Sequence, residues 1–552
     1  MLYTKLTMMT KLIYLMTLLS VTALLTSCSS SRFVEYHTAK VAINQAVTDA
    51  SLPDLTELTT KELHIYCLST GKDTDIGLVL LLHCAKELLS RDDLSQPLSN
   101  YAIASYNQAL YSLVKVDKAG TLSKNSVTLD YANPRHFTFS EEMLAIDSRL
   151  QPKVFGQLGV PVATSRENTR IGLDKYAPLE GVMKGATIIL ADIKVRADIF
   201  ELALELLFHH DNANIAIGDN SYVLKHSPGS AFLALIEQAN IDQFSWLGFI
   251  SPSQAEKRRG VFAIGGISAH KIPIIMIHGL NSDPLIWRHL TMAILNEPRL
   301  MSRYQIWHIY YPSGPPPFYS ASRTREHLTG LLKEMDSPSL ADNAVIIGHS
   351  MGGVVAKLLA TKTDFSLWDT AFNKRPEEFL TEDNASVKDI FIFDPVFKDN
   401  TVFFLDTPFK GSEVANSTIG YIGALLVTLP REFTQLFQAL IKRVGPDVIT
   451  EKMQPFLLDY GPNSVQVLRP GHPLMTTLYD LPIAGDAYAI VGSNSELVCA
   501  DSILCSAISD GVVSYDSANY RYAKEFIIAP SAHNSFQSQQ AIDFILTKLK
   551  AK

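Results

Sequence analysis

The chain has 552 residues, of which 47% are hydrophobic, 19% charged and 9% aromatic, with a net charge of −8 and five cysteines. That length exceeds one compact core and predicts two or three domains. The composition excludes a wholly disordered or fibrous chain, and an acidic balance without a long Lys/Arg run argues against nucleic acid as the main partner.

Lys5 and Lys11 precede an apolar stretch from Leu12 to Leu25, which Thr26-Ser27-Cys28 follows. A basic start, an apolar core and small residues at a cleavage point read as a secretory signal over residues 1–27. The stretch is shorter than the roughly 20 residues that span a bilayer. Leu25-Thr26-Ser27-Cys28 resembles a bacterial lipobox. The resemblance implies lipid attachment at Cys28 and a protein anchored to a membrane of the bacterial cell envelope. Ser29 rather than Asp follows the cysteine, which resembles outer-membrane sorting in a Gram-negative cell. Cys67, Cys84, Cys499 and Cys505 then remain, and an exported compartment permits disulfides. Cys499 with Cys505 is the first expected pair, and Cys67 with Cys84 the second.

Residues 28–120 read as a helical region. Apolar residues recur at three- and four-residue spacing around Val41–Val47, from Ile76 to Leu89 and from Tyr101 to Leu113, with breaks at Arg91–Pro97 and Ala119–Lys124. Residues 121–259 read as a small α+β or β-rich domain. Short β-rich runs appear at Ser126–Leu129, Thr187–Ala191 and Asn214–Ile217, a hairpin signal lies at Gly218-Asp219-Asn220, and Ala231–Gln238 predicts a helix. His209-His210-Asp211 lacks helix-spaced partners and predicts no metal site. Ser251–Arg259, with Lys257-Arg258-Arg259, reads as a solvated connector.

Residues 260–552 change texture again. Apolar runs at Ile274–Ile277, Gln305–Tyr310, Ala344–Ile347, Thr401–Leu405, Ala487–Val491 and Glu525–Ile528 predict buried strands. Helical patterns lie among them at Leu285–Leu295, Thr324–Glu334, Gly353–Leu359 and Gln537–Leu549. Such alternation predicts an α/β fold with a mostly parallel sheet covered on both faces.

Ala344–Ile347 runs into Gly348-His349-Ser350-Met351-Gly352-Gly353 and then a helix. This is strand, G-x-S-x-G, helix. A sharp turn there lifts the Ser350 hydroxyl clear of the sheet, and side chains at Gly348 and Gly352 would collide. Ile274–Ile277 ends in His278-Gly279-Leu280, where an early strand of such a sheet belongs. Acyl transfer needs two N–H donors aimed at the tetrahedral oxyanion. The Met351 amide is one, and the Leu280 amide is the expected second, with Gly279 allowing close approach and His278 shaping the loop.

An alkoxide needs a base, and the base an orienting acid. Only His472 and His533 follow Ser350. His533 lies in a loop between the last strand and the last helix, where the base belongs; His472 precedes the last two strands. Asp510, in Ser509-Asp510-Gly511-Val512-Val513, is the expected acid. Asp406, at the end of Thr401–Leu405, is the alternative, and Asp394 a weaker third.

These blocks resemble the lipase/esterase branch of the α/β-hydrolase superfamily, in particular its bacterial lipase and inositol-deacylase-like group. His278-Gly279-Leu280, Gly348–Gly352, Asp406-Thr407-Pro408-Phe409-Lys410-Gly411-Ser412 and Ser509–Val513 with His533 match in order. The third block places Asp406 beside a Thr-Pro element and moves the acid to Asp510. Phe409 stands where the family usually has His, which puts the acyl-pocket wall in question, and Ser514 where Pro is frequent. The whole length is similar to bacterial lipoproteins that carry an α/β-hydrolase domain behind a long N-terminal region. An insertion of about 412–482 carries Phe433, Leu436, Phe437, Leu440 and Ile441 at amphipathic-helix spacing. It reads as a helical lid and predicts an ester with a hydrophobic arm. The resemblance implies a serine ester hydrolase; the same site would also support acyl transfer to another acceptor. The sequence has no metal-ligand pattern, no Walker-A motif and no Gly-rich dinucleotide fingerprint after a strand, so no cofactor and no metal are expected. Binding by residues 32–260 in an envelope or host-interaction protein is the reading from another class.

Overall fold

The computed structural model describes residues 32–37, 51–131, 136–208, 214–238, 256–380, 386–416, 435, 446–456, 463–496, 499–500 and 502–552. The leader with Cys28, Val41–Val47, His209-His210-Asp211 and most of the expected lid helix lie outside these residues.

The N-terminal half begins with a short strand, β1 (Val34–Tyr36), inside the stretch expected to be helical. Helices α1 (Thr60–Ser69), α2 (Asp75–Leu89) and α3 (Gln96–Lys118) follow. Thr59 and Glu62 form a capping box at α1, and Pro97 sits in the first turn of α3, where its missing N–H costs nothing. The chain then lays down β2 (Val127–Tyr131), β3 (His136–Phe139), β4 (Met143–Ala145), β5 (Val160–Arg166), β6 (Val182–Arg196) and β7 (Ile199–Phe208). A hairpin of β8 (Asn214–Ile217) and β9 (Asn220–Val223) and the helix α4 (Pro228–Gln238) complete this half. Five strands form one sheet in the order β2-β7-β6-β5-β3, while β1 pairs with β4.

The sequence reading placed a boundary at residue 120, and the packing removes it. Leu78, Leu82, Leu110 and Leu113 of the helices share one buried cluster with Val162, Ile188, Leu190 and Leu202 of the sheet. Each layer buries its apolar face against the other. Cys67 and Cys84 form a disulfide between α1 and α2, with Cα atoms 5.6 Å apart.

The C-terminal half is a seven-stranded sheet in the order β10-β12-β11-β13-β14-β15-β16. These are β10 (Gly260–Ile264), β11 (Ile272–Ile277), β12 (Tyr304–Tyr310), β13 (Asn343–His349), β14 (Asp399–Leu405), β15 (Gly485–Ser493) and β16 (Glu525–Pro530). Only β10 runs antiparallel to its neighbour; the remaining pairs are parallel. Its longer helices among the described residues are α5 (Arg288–Leu295), α6 (Pro317–Met335), α7 (Met351–Ala360), α8 (Pro473–Asp480) and α9 (Gln539–Ala551). Alternation explains the apolar runs. Ile275, Ile277, Ile346, Val402 and Phe404 face α6 and α7, while Ile274, Met276, Val345, Ile347, Phe403 and Leu405 face α5 and α9. Parallel strands buried on both faces read as continuous rather than alternating hydrophobic segments. This is an α/β fold, a mostly parallel sheet with helices on both faces, preceded by an α+β region.

Of the expected solvated connector, residues 256–259 are described; Lys257 is exposed, but its two arginines are engaged. Arg259 is buried and makes a two-pronged pair with Glu256 at 2.6 and 2.9 Å, and Arg258 reaches Glu180 at 2.7 Å. The Arg259–Glu256 pair is local, and Arg258–Glu180 ties the segment back to the N-terminal half.

Candidate active site

The parallel strands β11, β13, β14 and β15 bring their C-terminal ends together, and each hands the chain to a loop there. At the end of β13, Ser350 adopts φ 53° and ψ −124°, a left-handed conformation that costs a non-glycine residue about 1–3 kcal/mol. The Ser350 amide donates to the Leu405 carbonyl at 2.8 Å, which ties the turn to β14. A Cβ on Gly348 would meet the Gly352 carbonyl at 2.5 Å, and one on Gly352 would collide with the carbonyls of Ile277 and His278. The strained turn therefore packs at backbone contact on both sides, as its glycines predict.

Three side chains meet above this turn. His533 Nε2 lies 2.9 Å from Ser350 Oγ, and His533 Nδ1 lies 2.6 Å from Asp510 Oδ2. The other Asp510 oxygen accepts the Val512 and Val513 amides, both at 2.7 Å, so its carboxylate is oriented by its own turn. Burial of the His533 ring works against its charged form. The Asp510 hydrogen bond and the charges of Asp510 and Asp406 outweigh this and raise its pKa above the ordinary value.

The oxyanion loop stands against the nucleophile. A Cβ on Gly279 would sit 3.0 Å from Ser350 Cβ. His278 is fully buried and burial pushes its pKa down to about 4, so the ring is neutral. Its Nδ1–H donates to the Gly279 carbonyl at 2.9 Å while Nε2 accepts the Tyr311 amide at 3.4 Å. Tyr311 stacks on the ring at 4.5 Å and its hydroxyl donates to the His278 carbonyl at 2.7 Å. The peptide between residues 279 and 280 is planar, so fixing its carbonyl on one side fixes the Leu280 N–H on the other. Neither the Leu280 nor the Met351 amide donates a hydrogen bond among the described residues. Two oriented donors beside a hydroxyl–imidazole pair can hold an oxyanion.

Asp406 does not touch the Nδ1 of His533. It is fully buried, and its oxygens accept the Gly492 amide at 2.7 Å and the Ser535 amide at 3.0 Å. Asp394 is exposed, and His472 is buried with its ring 4.5 Å from Phe456. Phe409 was expected to bear on the acyl pocket; instead it is buried between Phe404 and Tyr520, stacking on the latter at 5.0 Å, and is a core residue. Cys499 and Cys505 form a disulfide in the segment that leads into the Asp510 turn.

Sequence reasoning overlooked Gly492. A Cβ there would meet the Ala532 carbonyl at 2.9 Å and both Asp406 Oδ1 and Asp510 Cβ at 3.0 Å. A glycine closing an apolar strand is a signal of close approach, and here three site segments make it. His349, Asp406 and His533 gather ligand-type atoms within 4.8 Å of one another. Both nitrogens of His533 already face Ser350 and Asp510, so a cation drawing on its imidazole would break the contact with one of them.

No family model matches the sequence, and no curated protein matches it. Among solved structures, a Bacillus licheniformis lipase in its mature form is 13% identical; the match covers 52% of this chain and 97% of that chain, with a TM-score of 0.28. The same lipase in its propeptide form is 14% identical over 52% of this chain and 53% of that chain, with a TM-score of 0.31. A lipase-esterase related protein from Clostridium acetobutylicum is 12% identical over 53% of this chain and 98% of that chain, with a TM-score of 0.27.

Proposed function

We propose that this protein is a serine hydrolase of carboxylic esters with a hydrophobic arm, held at a membrane of the bacterial cell envelope through lipidated Cys28. The observation that carries the reading is the continuous chain from Ser350 Oγ through His533 to Asp510, with bonds of 2.9 and 2.6 Å. Ser350 Oγ attacks the acyl carbonyl as its proton passes to His533 Nε2. Asp510 holds the ring through Nδ1–H and stabilises the imidazolium. The Met351 and Leu280 amides receive the oxyanion. Collapse expels the alkoxide, which takes the proton back from His533, and leaves an acyl-enzyme. Water, deprotonated by His533, then frees the acid and restores the Ser350 hydroxyl. The hydrophobic arm is supported by the apolar insertion, where Val448, Ile449, Met453, Val465 and Leu468 join the main buried cluster beside the site.

One experiment tests this on the wild type, Ser350→Ala and Cys28→Ala. The wild type is expected to label with a fluorophosphonate, to prefer medium or long acyl esters over acetate, and to incorporate palmitate in cells. Ser350→Ala should lose labelling and at least about 10³-fold of turnover while keeping its circular dichroism, and Cys28→Ala should lose only palmitate. Turnover retained without Ser350 rejects the mechanism, equal rates across chain lengths reject the hydrophobic arm, and palmitate retained without Cys28 rejects the anchor.

A further inference from the structure

Asp406 is a fully buried carboxylate that the proposed mechanism does not use, and it sits where three strand ends meet. Its backbone is strained, with φ 49°, and its own amide donates to the Ile490 carbonyl at 2.9 Å. One oxygen holds the Gly492 amide at 2.7 Å, at the end of β15, and the other holds the Ser535 amide at 3.0 Å, two residues beyond the base. The preceding residue, Leu405, supplies the carbonyl that accepts the Ser350 amide. One short segment thus ties the nucleophile's turn, the strand before the acid and the loop of the base.

Resting on the serine-hydrolase reading, we propose that Asp406 is a second, positioning carboxylate of the active site: it fixes the loop that carries His533 and lends its negative charge to the imidazolium formed in turnover. Among the described residues it meets no lysine or arginine partner. The titratable groups around it are His349 at 3.7 Å, His533 and Asp510. His349 is fully buried, and burial together with the charge of His533 holds its pKa far below the ordinary value, so it stays neutral. Asp510 is another anion. The one cation that can arise in this neighbourhood is His533 after it takes the serine proton. Isolating a carboxylate from water is expensive unless hydrogen bonds and charge compensate it. Here two amides do so permanently and the imidazolium does so transiently, in the transition state, which is where added stabilisation accelerates a reaction. Burial, then the charge of Asp510, pushes the Asp406 carboxyl up to about 6. It is therefore ionised at neutral pH and becomes protonated on acidification, so the acid limb of the wild type reports Asp406 and His533 together.

The test is the pH profile of kcat/KM for the wild type, Asp406→Asn and Asp406→Glu, using the ester on which the wild type turns over. Asp406→Asn keeps the shape but removes the charge and sets an NH2 against one of the two amides. Its expected result is a kcat roughly 10- to 100-fold lower, a KM within about twofold, and an acid limb moved to lower pH by at least about half a unit, since His533 loses a neighbouring anion. Asp406→Glu keeps the charge and displaces the oxygens; it should hold the wild-type acid limb while kcat falls. If Asp406→Asn does not fold, the Glu variant decides: an acid limb that moves with the charge in place overturns the proposal. An Asn variant with wild-type kcat, or with reduced kcat and an unmoved limb, also overturns it, because a merely structural tie would leave the base's titration alone. A wild type that neither labels with fluorophosphonate nor cleaves any ester would instead reject the parent reading.

Discussion

At the scale of single residues, the site depends on short-range geometry that differs in how far it can be read from sequence. Ser350 and His533 were legible because each lies just beyond a strand, and strand ends in a parallel sheet converge; Asp510, separated from the end of β15 by the Cys499–Cys505 segment, was legible from its place in the Ser509–Val513 block ahead of His533. Met351 follows from the nucleophile by covalent adjacency. The work of Asp406, Gly492 and His349 was hidden, since it rests on which strand tip neighbours which, a fact set by the order β13-β14-β15 and by no local signal. His278 is intermediate. Its place in the loop was expected, but the reason appears only when its Nδ1–H is seen holding the Gly279 carbonyl at 2.9 Å. Replacing His278 by Ala frees that carbonyl, lets the peptide rotate and removes the Tyr311 stack. Loss of one oxyanion donor typically costs about 10²–10³ in kcat. His278→Ala should approach the lower end of that range with KM changed less than about threefold, measured on a short-chain ester. A kcat within twofold of wild type would show that the ring does not set the donor.

At the scale of elements, α7 illustrates a helix whose catalytic and structural ends impose different demands. Its first turn must present bare amides beside Ser350, while two turns on Lys357 is completely buried. The Lys357 Nζ donates to the Leu481 carbonyl at 2.6 Å and the Tyr520 hydroxyl at 2.8 Å, and sits 4.0 Å from the Tyr520 ring centre. Burial pushes its pKa down to about 6, with the charge of Asp480 only partly offsetting this. The unfolded chain would bind that proton up to about pH 10. Between these values the unfolded state holds one proton more than the native state, so stability rises with pH, by at most about 1.4 kcal/mol per pH unit from this group. In Lys357→Met that increment disappears, while the Leu481 carbonyl keeps the Tyr520 hydroxyl at 3.0 Å. Urea unfolding at pH 7 and pH 9 should show the variant gaining less stability over that interval than the wild type. Equal gains would mean that Lys357 keeps its proton when buried. The longest hairpin, β6–β7, eluded sequence reading for a different reason. Its turn is Ala197-Asp198, with φ 48° and 63°, a left-handed pair built without the Asn or Gly that usually announces it.

At the scale of the whole molecule, the texture of the sequence suggested three consecutive units, yet texture reports the local element and not what covers its outer face. The three helices cover one face of the five-stranded sheet. Its other face, through Ala163 and Met183, joins Phe232, Leu233 and Ile236 of α4 against Ile264, Ile274, Met276 and Ile306 of the seven-stranded sheet. Polar contacts stitch the same seam. His289 Nε2 lies 2.9 Å from Asp147, Asn296 bonds the Lys153 amide at 2.8 Å and the Gln151 carbonyl at 2.9 Å, and the Tyr176 hydroxyl donates to Glu334 at 3.0 Å. In a doubly covered sheet, removing a cover exposes apolar strands, and α4 supplies part of that cover for β11 and β12. The two halves should therefore unfold as one. Calorimetry of the mature protein should give a single transition, with calorimetric and van't Hoff enthalpies in agreement. Residues 256–552 expressed alone should be insoluble or bind a hydrophobic dye strongly, because Ile264, Ile274 and Ile306 lose the side chains that bury them. Two resolved transitions, or a soluble truncated hydrolase with full ester turnover, would show instead that the N-terminal half is an appended module and that the shared core contributes little to holding the catalytic strands in place.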